Sequence, residues 1–104
     1  MAIFNREDQR DLGAVQMVKQ ELINDVQNVL TRMIIKAKDF AIVKELKTFE
    51  SVRLSSGTRQ HSRLALVQIY RDLASLCYSL NSEKFANEIE WLNTRAKEIE
   101  KSDL

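Results

Sequence analysis

The residues able to do chemistry are few, and their spacing keeps them apart. The chain holds one histidine, His61, and one cysteine, Cys77. Sixteen residues separate them on one expected helix, which is roughly 24 Å at 1.5 Å per residue. A cysteine–histidine nucleophilic pair within one chain is therefore excluded. A structural zinc site needs about four sulfur or nitrogen ligands, and these two residues are the whole supply. Cys77 also falls on an apolar stripe, where a free cysteine packs as a small hydrophobe.

Carboxylates offer no better constellation. A di-iron bundle site needs Glu-x-x-His pairs, and no Glu stands three residues before His61. The acids fall mostly off the apolar seams, as solvated surface charge does. Ser55, Ser56 and Thr58 have only His61 near them in sequence and read as a turn before a helix. With two glycines in all, Gly13 and Gly57, there is no P-loop and no dinucleotide-type glycine pattern to cradle a phosphate. No catalytic residue, metal site or cofactor is expected.

Charge is distributed more informatively. Net charge is +1 and the isoelectric point is about 7.9, unlike the strongly basic balance of most nucleic-acid binders. Yet Ser51 to Tyr70 contains no acid, while Arg53, Arg59, His61 and Arg63 fall inside it and Arg71 follows. Arginine's planar fork suits phosphate or carboxylate, so this corner is a candidate anion or nucleic-acid site. The final stretch from Leu73 is acidic on balance, and the corner's charges could equally pair with it across an antiparallel groove. No aromatic residue between Ser51 and Arg63 is placed to stack on bases.

Trp91 is the other candidate. It sits beside the narrow apolar seam of the last helix, with Arg95 one turn on. Tryptophan and arginine are over-represented where proteins bind each other. Trp91 and Arg95, oriented by Arg59 and Arg63, are the expected partner contacts. The competing reading is intrachain packing, with Arg95 over the Trp91 ring.

These residues must be held by helices. Proline is absent and glycine scarce, which favours long helices over turn-rich sheets. Leu12, Val15, Leu22, Val26, Val29, Met33, Phe40 and Val43 follow three- and four-residue steps, with Lys19 and Lys36 at the remaining seam positions. The simplest account of these lysines is that their stems pack while their ammonium groups reach water. Ile23, Leu30, Ile34, Ala37 and Ala41 form a second stripe beside the seam. The face is wide enough for two neighbours or for a second copy of the chain.

Asn5 is a candidate N-cap, because Glu7 and Asp8 follow it. An unbroken helix from Arg6 to Val52 would span roughly 70 Å, so a break is expected near Lys38–Asp39, with Asp39 capping a helix from Phe40. Ser55 to Thr58 form a loop. A helix from about Arg59 to Leu80 follows, then a turn at Asn81 with Ser82 as N-cap, then a last helix from Glu83 to about Lys101.

The expected fold is all-α: a single domain over 1–104, a small antiparallel bundle of three to four helices that self-associates, a dimer being favoured. In the three-helix alternative the first helix is continuous. No apolar run suits a signal peptide or the ~20 residues of a membrane span, and one cysteine allows no internal disulfide. A cytoplasmic location without membrane attachment is expected. The functional expectation is a non-enzymatic protein–protein interaction module, of the adaptor, inhibitor or immunity type, or a phage or bacterial accessory protein. The alternative is a nucleic-acid-binding accessory protein using the arginine corner at 53–71.

Overall fold

The computed structural model describes residues 2–54 and 62–101, with side chains from Lys19 onward. Four helices account for almost all of them: α1 (Ala2–Ala37), α2 (Phe40–Arg53), α3 (Arg63–Asn81) and α4 (Ala86–Lys101). The extents are 57 × 24 × 20 Å. The long axis matches α1, whose 36 residues span about 54 Å at 1.5 Å per residue.

Helix α1 already runs through Asn5, so Asn5 is not an N-cap. The first helix does end where expected. Lys38 takes a left-handed backbone angle, φ 51°, as the residue just past a helix end often does. Lys84 donates from Nζ to the Ala37 carbonyl at 2.6 Å, capping one of the helix's last acceptors. Asp39 is extended, and its carboxylate accepts from the backbone N–H groups of Ala41 and Ile42. Two helices thus replace the continuous one.

The break has a packing consequence that the seam did not anticipate. Phe40 lies seven residues after Met33, so an unbroken helix would put both on one face. The turn at Lys38–Asp39 rotates α2 instead. Phe40 is 85% exposed and Ala41 is exposed. Leu46 becomes the fully buried anchor of α2, flanked by half-buried Ile42, Val43 and Phe49. Upstream of the break the stripes hold from Leu22 on: Leu22, Ile23, Val26, Val29, Leu30, Met33 and Ala37 are buried within one chain, while the side chains of Leu12 and Val15 lie outside those described.

Helix α3 opens at Arg63 rather than Arg59. Ser62 is its N-cap, accepting from the Ala65 N–H at 3.1 Å. Its inward face is Leu66, Val67, Ile69, Tyr70, Leu73, Ala74 and Cys77. The next junction also differs from expectation. Ser82 closes α3 rather than opening α4, and Asn81 organises the turn by accepting from the Lys84 N–H. Helix α4 then starts at Ala86, carrying a narrow buried seam of Leu92, Ala96 and Ile99 behind buried Phe85.

The described core draws on all four helices, with α3 and α4 packed most extensively. Polar links tie specific levels together. The Tyr70 hydroxyl donates to the Leu22 carbonyl at 2.6 Å. Arg95 meets Asp25 at 3.5 Å, and Lys36 meets Glu88 at 3.2 Å. Lys36 thus sits at the surface with its ammonium on α4, an ion-paired form of the expected reach toward water. No described helix is long and apolar enough to cross a membrane.

Candidate functional site

The two most nucleophilic groups in the described core are held in their protonated forms. Cys77 is fully buried, with Sγ 3.2 Å from the Met33 Sδ. Burial, with Glu88 adding to it, pushes its thiol up from the usual 9 to about 12. Burial also raises the Tyr70 phenol well above its ordinary range, with Asp25 adding to the effect. Both residues pack as core. His61, the other residue singled out for chemistry, lies outside the described residues, as do Ser55, Ser56 and Thr58. Among the described residues, no three His, Cys, Asp or Glu side chains cluster as a metal site would require.

The arginine corner divides. Arg59 and His61 lie outside the described residues. Arg53 pairs with Asp72 at 2.7 Å and lies 5.5 Å from the Phe49 ring centroid. Arg71 pairs with Glu100 of α4 at 3.1 Å, a charge link of the kind expected between the last two helices. Arg63 is half-buried at the start of α3. Arg53 and Arg71 therefore face carboxylates that sequence order did not put beside them.

Trp91 and Arg95 are placed mainly by intrachain contacts. The Trp91 ring lies 5.8 Å from that of Tyr70, tilted by 33°, and packs against the core while half-buried. Arg95, expected over that ring, is directed to Asp25 of α1 and to Glu98 at 3.7 Å. The remaining edge of Trp91 lines a shallow depression between α1 and α4, together with Asp25, Asn28, Val29 and Arg32.

Two further surfaces emerge that the sequence reading did not single out. The first is the outer face of α2. Phe40, Val43, Lys44, Lys47, Ser51 and Val52 line one shallow depression. Phe40, Val43, Lys44, Lys47 and Ser51 cluster on one side of the helix, while Val52, nine residues from Val43, stands well round from it. Phe40 and Val52 are among the most exposed large apolar side chains described. The signal available in sequence was Leu46: its best helical partners, Ile42 and Phe49, lie out of phase with Phe40.

The second surface is the outer groove of α3 and α4. Ala74, Ser75, Tyr78, Ser79, Ile89 and Asn93 line it, and Tyr78 is 67% exposed. The chain is 30% charged, yet Leu73 to Ser82 carries no charge at all. Depletion of charge with an exposed aromatic residue is the compositional signal of an interface centre.

Comparison with known proteins adds no relative: no protein-family model, no curated protein and no solved structure matches this chain.

Proposed function

We propose that this chain is a non-enzymatic protein–protein interaction module that binds another protein through its outer helical faces. The observation that carries the reading is the exposure of Phe40 on a helix whose other side is anchored by fully buried Leu46. Isolated exposed apolar residues are ordinary, but an apolar patch on one face is a feature of interaction sites. Phe40 and half-buried Val43 share such a face. The protonated, buried states of Cys77 and Tyr70 are consistent with a core that packs and does not react.

In this reading the architecture is an antiparallel four-helix bundle. The pairs Asp25–Arg95 and Lys36–Glu88 link α1 to α4 in opposite residue order, which supports that direction. Trp91 and Arg95, together with Arg59 and Arg63, become secondary contacts at the rim, because the first two are already engaged inside the chain. Self-association as a dimer fits the charge-free groove around Tyr78 better than the Leu22–Ala37 part of the α1 face, which the described core already covers. A two-fold contact brings each residue near its own copy's surroundings, and an uncharged face carries no like-charge penalty there. The nucleic-acid alternative draws less support, since Arg53 and Arg71 each sit against a carboxylate.

The test is quantitative co-purification from the source cells under nuclease treatment, comparing the wild-type chain with Phe40→Ser and with Lys97→Ser as a surface control. The reading expects a protein retained by wild type and Lys97→Ser but lost from Phe40→Ser. Retention that ends with nuclease treatment, or retention equal across the three chains, overturns it.

A further inference from the structure

Only Lys38 and Asp39 join α1 to α2, and opposing forces meet at this junction. Lys38 holds φ 51°, a left-handed angle that is unfavourable for any residue with a Cβ. Two caps hold the bend. The Asp39 carboxylate accepts from the Ala41 and Ile42 N–H groups, and Lys84 donates from Nζ to the Ala37 carbonyl at 2.6 Å. An unbroken helix would satisfy the same groups by itself, with Ala41 N–H donating to the Ala37 carbonyl and Ile42 N–H to that of Lys38. The apolar pattern also favours the unbroken form. Phe40 follows Leu22 by eighteen residues, five turns of 3.6, and follows Met33 by seven. Leu22 and Met33 are buried while Phe40 is 85% exposed, so the bend takes Phe40 off the face its spacing assigns it to.

We infer that Lys38–Asp39 is a hinge through which two copies of this chain exchange α1. In the exchanged dimer α1 and α2 run on as one helix, and each α1 packs on α2, α3 and α4 of the other copy. The contacts already present fix the occupant. A second copy's α1 carries the same Leu22 carbonyl, Asp25 and Lys36, so it meets Tyr70, Arg95 and Glu88 as the chain's own α1 does. Its buried face from Leu22 to Ala37 fills the same core. Exchange of an identical element is a low-cost route to a dimer, because only the hinge differs between the two forms. A short hinge under strain invites it.

The geometry of the bend suits this exchange. A two-residue connection lays α2 back along α1, and the two helices pack. A two-fold axis at the hinge would lay α2 of one copy back along α1 of the other in the same sense. The continuous helix is too long for one copy to cover, and two copies cover it from both ends. This inference goes beyond the interaction reading and does not rest on it, since the bent chain still presents Phe40 to another protein. It also differs from association at the Tyr78 groove, where each copy would keep its own α1.

The experiment reads the hinge within one chain. Asn24 and Val52 are exposed, and Asn24→Cys/Val52→Cys carries nitroxide labels, attached to the folded full chain while Cys77 is buried. Labelled chain is diluted into excess unlabelled chain, refolded from urea at low micromolar or at millimolar concentration, and measured by double electron–electron resonance beside light-scattering mass. In the bent form the labels stand on two helices packed about 10 Å apart and give a short distance. In the exchanged form they stand on one helix, twenty-eight residues and roughly 42 Å apart. The inference expects a monomer with the short distance when dilute, and at millimolar concentration a dimer with the long one. Each dimer holds two hinges, so a hinge substitution acts twice. Asp39→Ala removes the cap and should tighten the dimer by roughly tenfold or more. Lys38→Gly relieves the left-handed residue and penalises the continuous helix, and should weaken it by roughly tenfold or more.

A charge exchange gives an independent reading. Lys36→Glu and Glu88→Lys each set like charges across the α1–α4 pair. Only when α1 crosses over does a mixture of the two chains restore opposite charges, so native mass spectrometry should find heterodimer above its statistical share. Monomer at every concentration in both wild type and Asp39→Ala overturns the inference. So does a dimer that keeps the short distance, which would mean that copies meet by their outer faces. A long distance seen only in Asp39→Ala, unchanged association in Lys38→Gly, or heterodimer at its statistical share overturns it too.

Discussion

Position 38 decides whether the first two helices are one or two, and a pair of substitutions there reads the answer directly. Lys38 has φ 51°. An L-residue in this left-handed region is disfavoured by roughly 1–2 kcal/mol, whereas glycine is not. Glycine also has a more flexible unfolded chain, which offsets about 0.4–1 kcal/mol of that gain. Comparing Lys38→Gly with Lys38→Ala removes the lysine charge from both sides of the comparison. The glycine variant should then be more stable by about 0.5–1 kcal/mol, the difference between those two estimates. For a domain near this size, 1 kcal/mol moves Tm by about 4–8 °C, so a rise of several degrees is expected. A continuous helix predicts the opposite sign, with alanine favoured by about 0.8–1 kcal/mol. Thermal and urea unfolding followed by circular dichroism would measure the difference. If Lys38→Ala is the more stable of the two, the break is refuted, and with it the rotation that exposes Phe40.

Three further outcomes follow from the packing. Leu46→Ala should cost about 2–5 kcal/mol, because it empties a fully buried site. Phe40→Ser on the other side of the same helix should stay within about 0.5 kcal/mol; urea midpoints separate the two. Lys84→Met keeps the stem but removes the donor to the Ala37 carbonyl, and should lower stability by about 1 kcal/mol in urea unfolding. Cys77 should react with iodoacetamide at pH 8 roughly a hundredfold or more slower in the native chain than in denaturant, because reaction must await opening of the core. Its thiol is raised from 9 to about 12 in the folded chain. The stability it contributes is therefore present below pH 9 and is lost as pH rises from 9 through 12, since the unfolded chain releases that proton first. Equal labelling rates, measured by mass spectrometry, would contradict the buried placement.

The parts of the fold legible in sequence were those set by local pattern. The stripe from Leu22 to Met33 predicts burial and is buried, because helical period and hydrophobicity agree along it. Asp39 reads as a cap and is one, since an Asp side chain satisfies N–H groups two and three residues on. The misreadings arise where a single backbone angle resets the phase. Phe40 fits the seam by counting, but counting assumes an unbroken helix, and Lys38 breaks it. At the last turn, Asn81 and Ser82 are both competent caps, and sequence alone could not choose the Asn81 side chain as the one that meets Lys84. The arginine corner was visible as charge, while its partners Asp72 and Glu100 depend on how α2, α3 and α4 pack. The outer face of α2 was hidden for the same reason as Phe40: it exists only once the helix has turned.

The most direct test of the interaction claim is site-specific photo-cross-linking in the source cells. A benzophenone side chain is placed at position 40, and as a control at position 97 on the exposed side of α4. The account predicts a discrete protein adduct from position 40 that is absent from position 97. No adduct from position 40, or the same adducts from both positions, would contradict it.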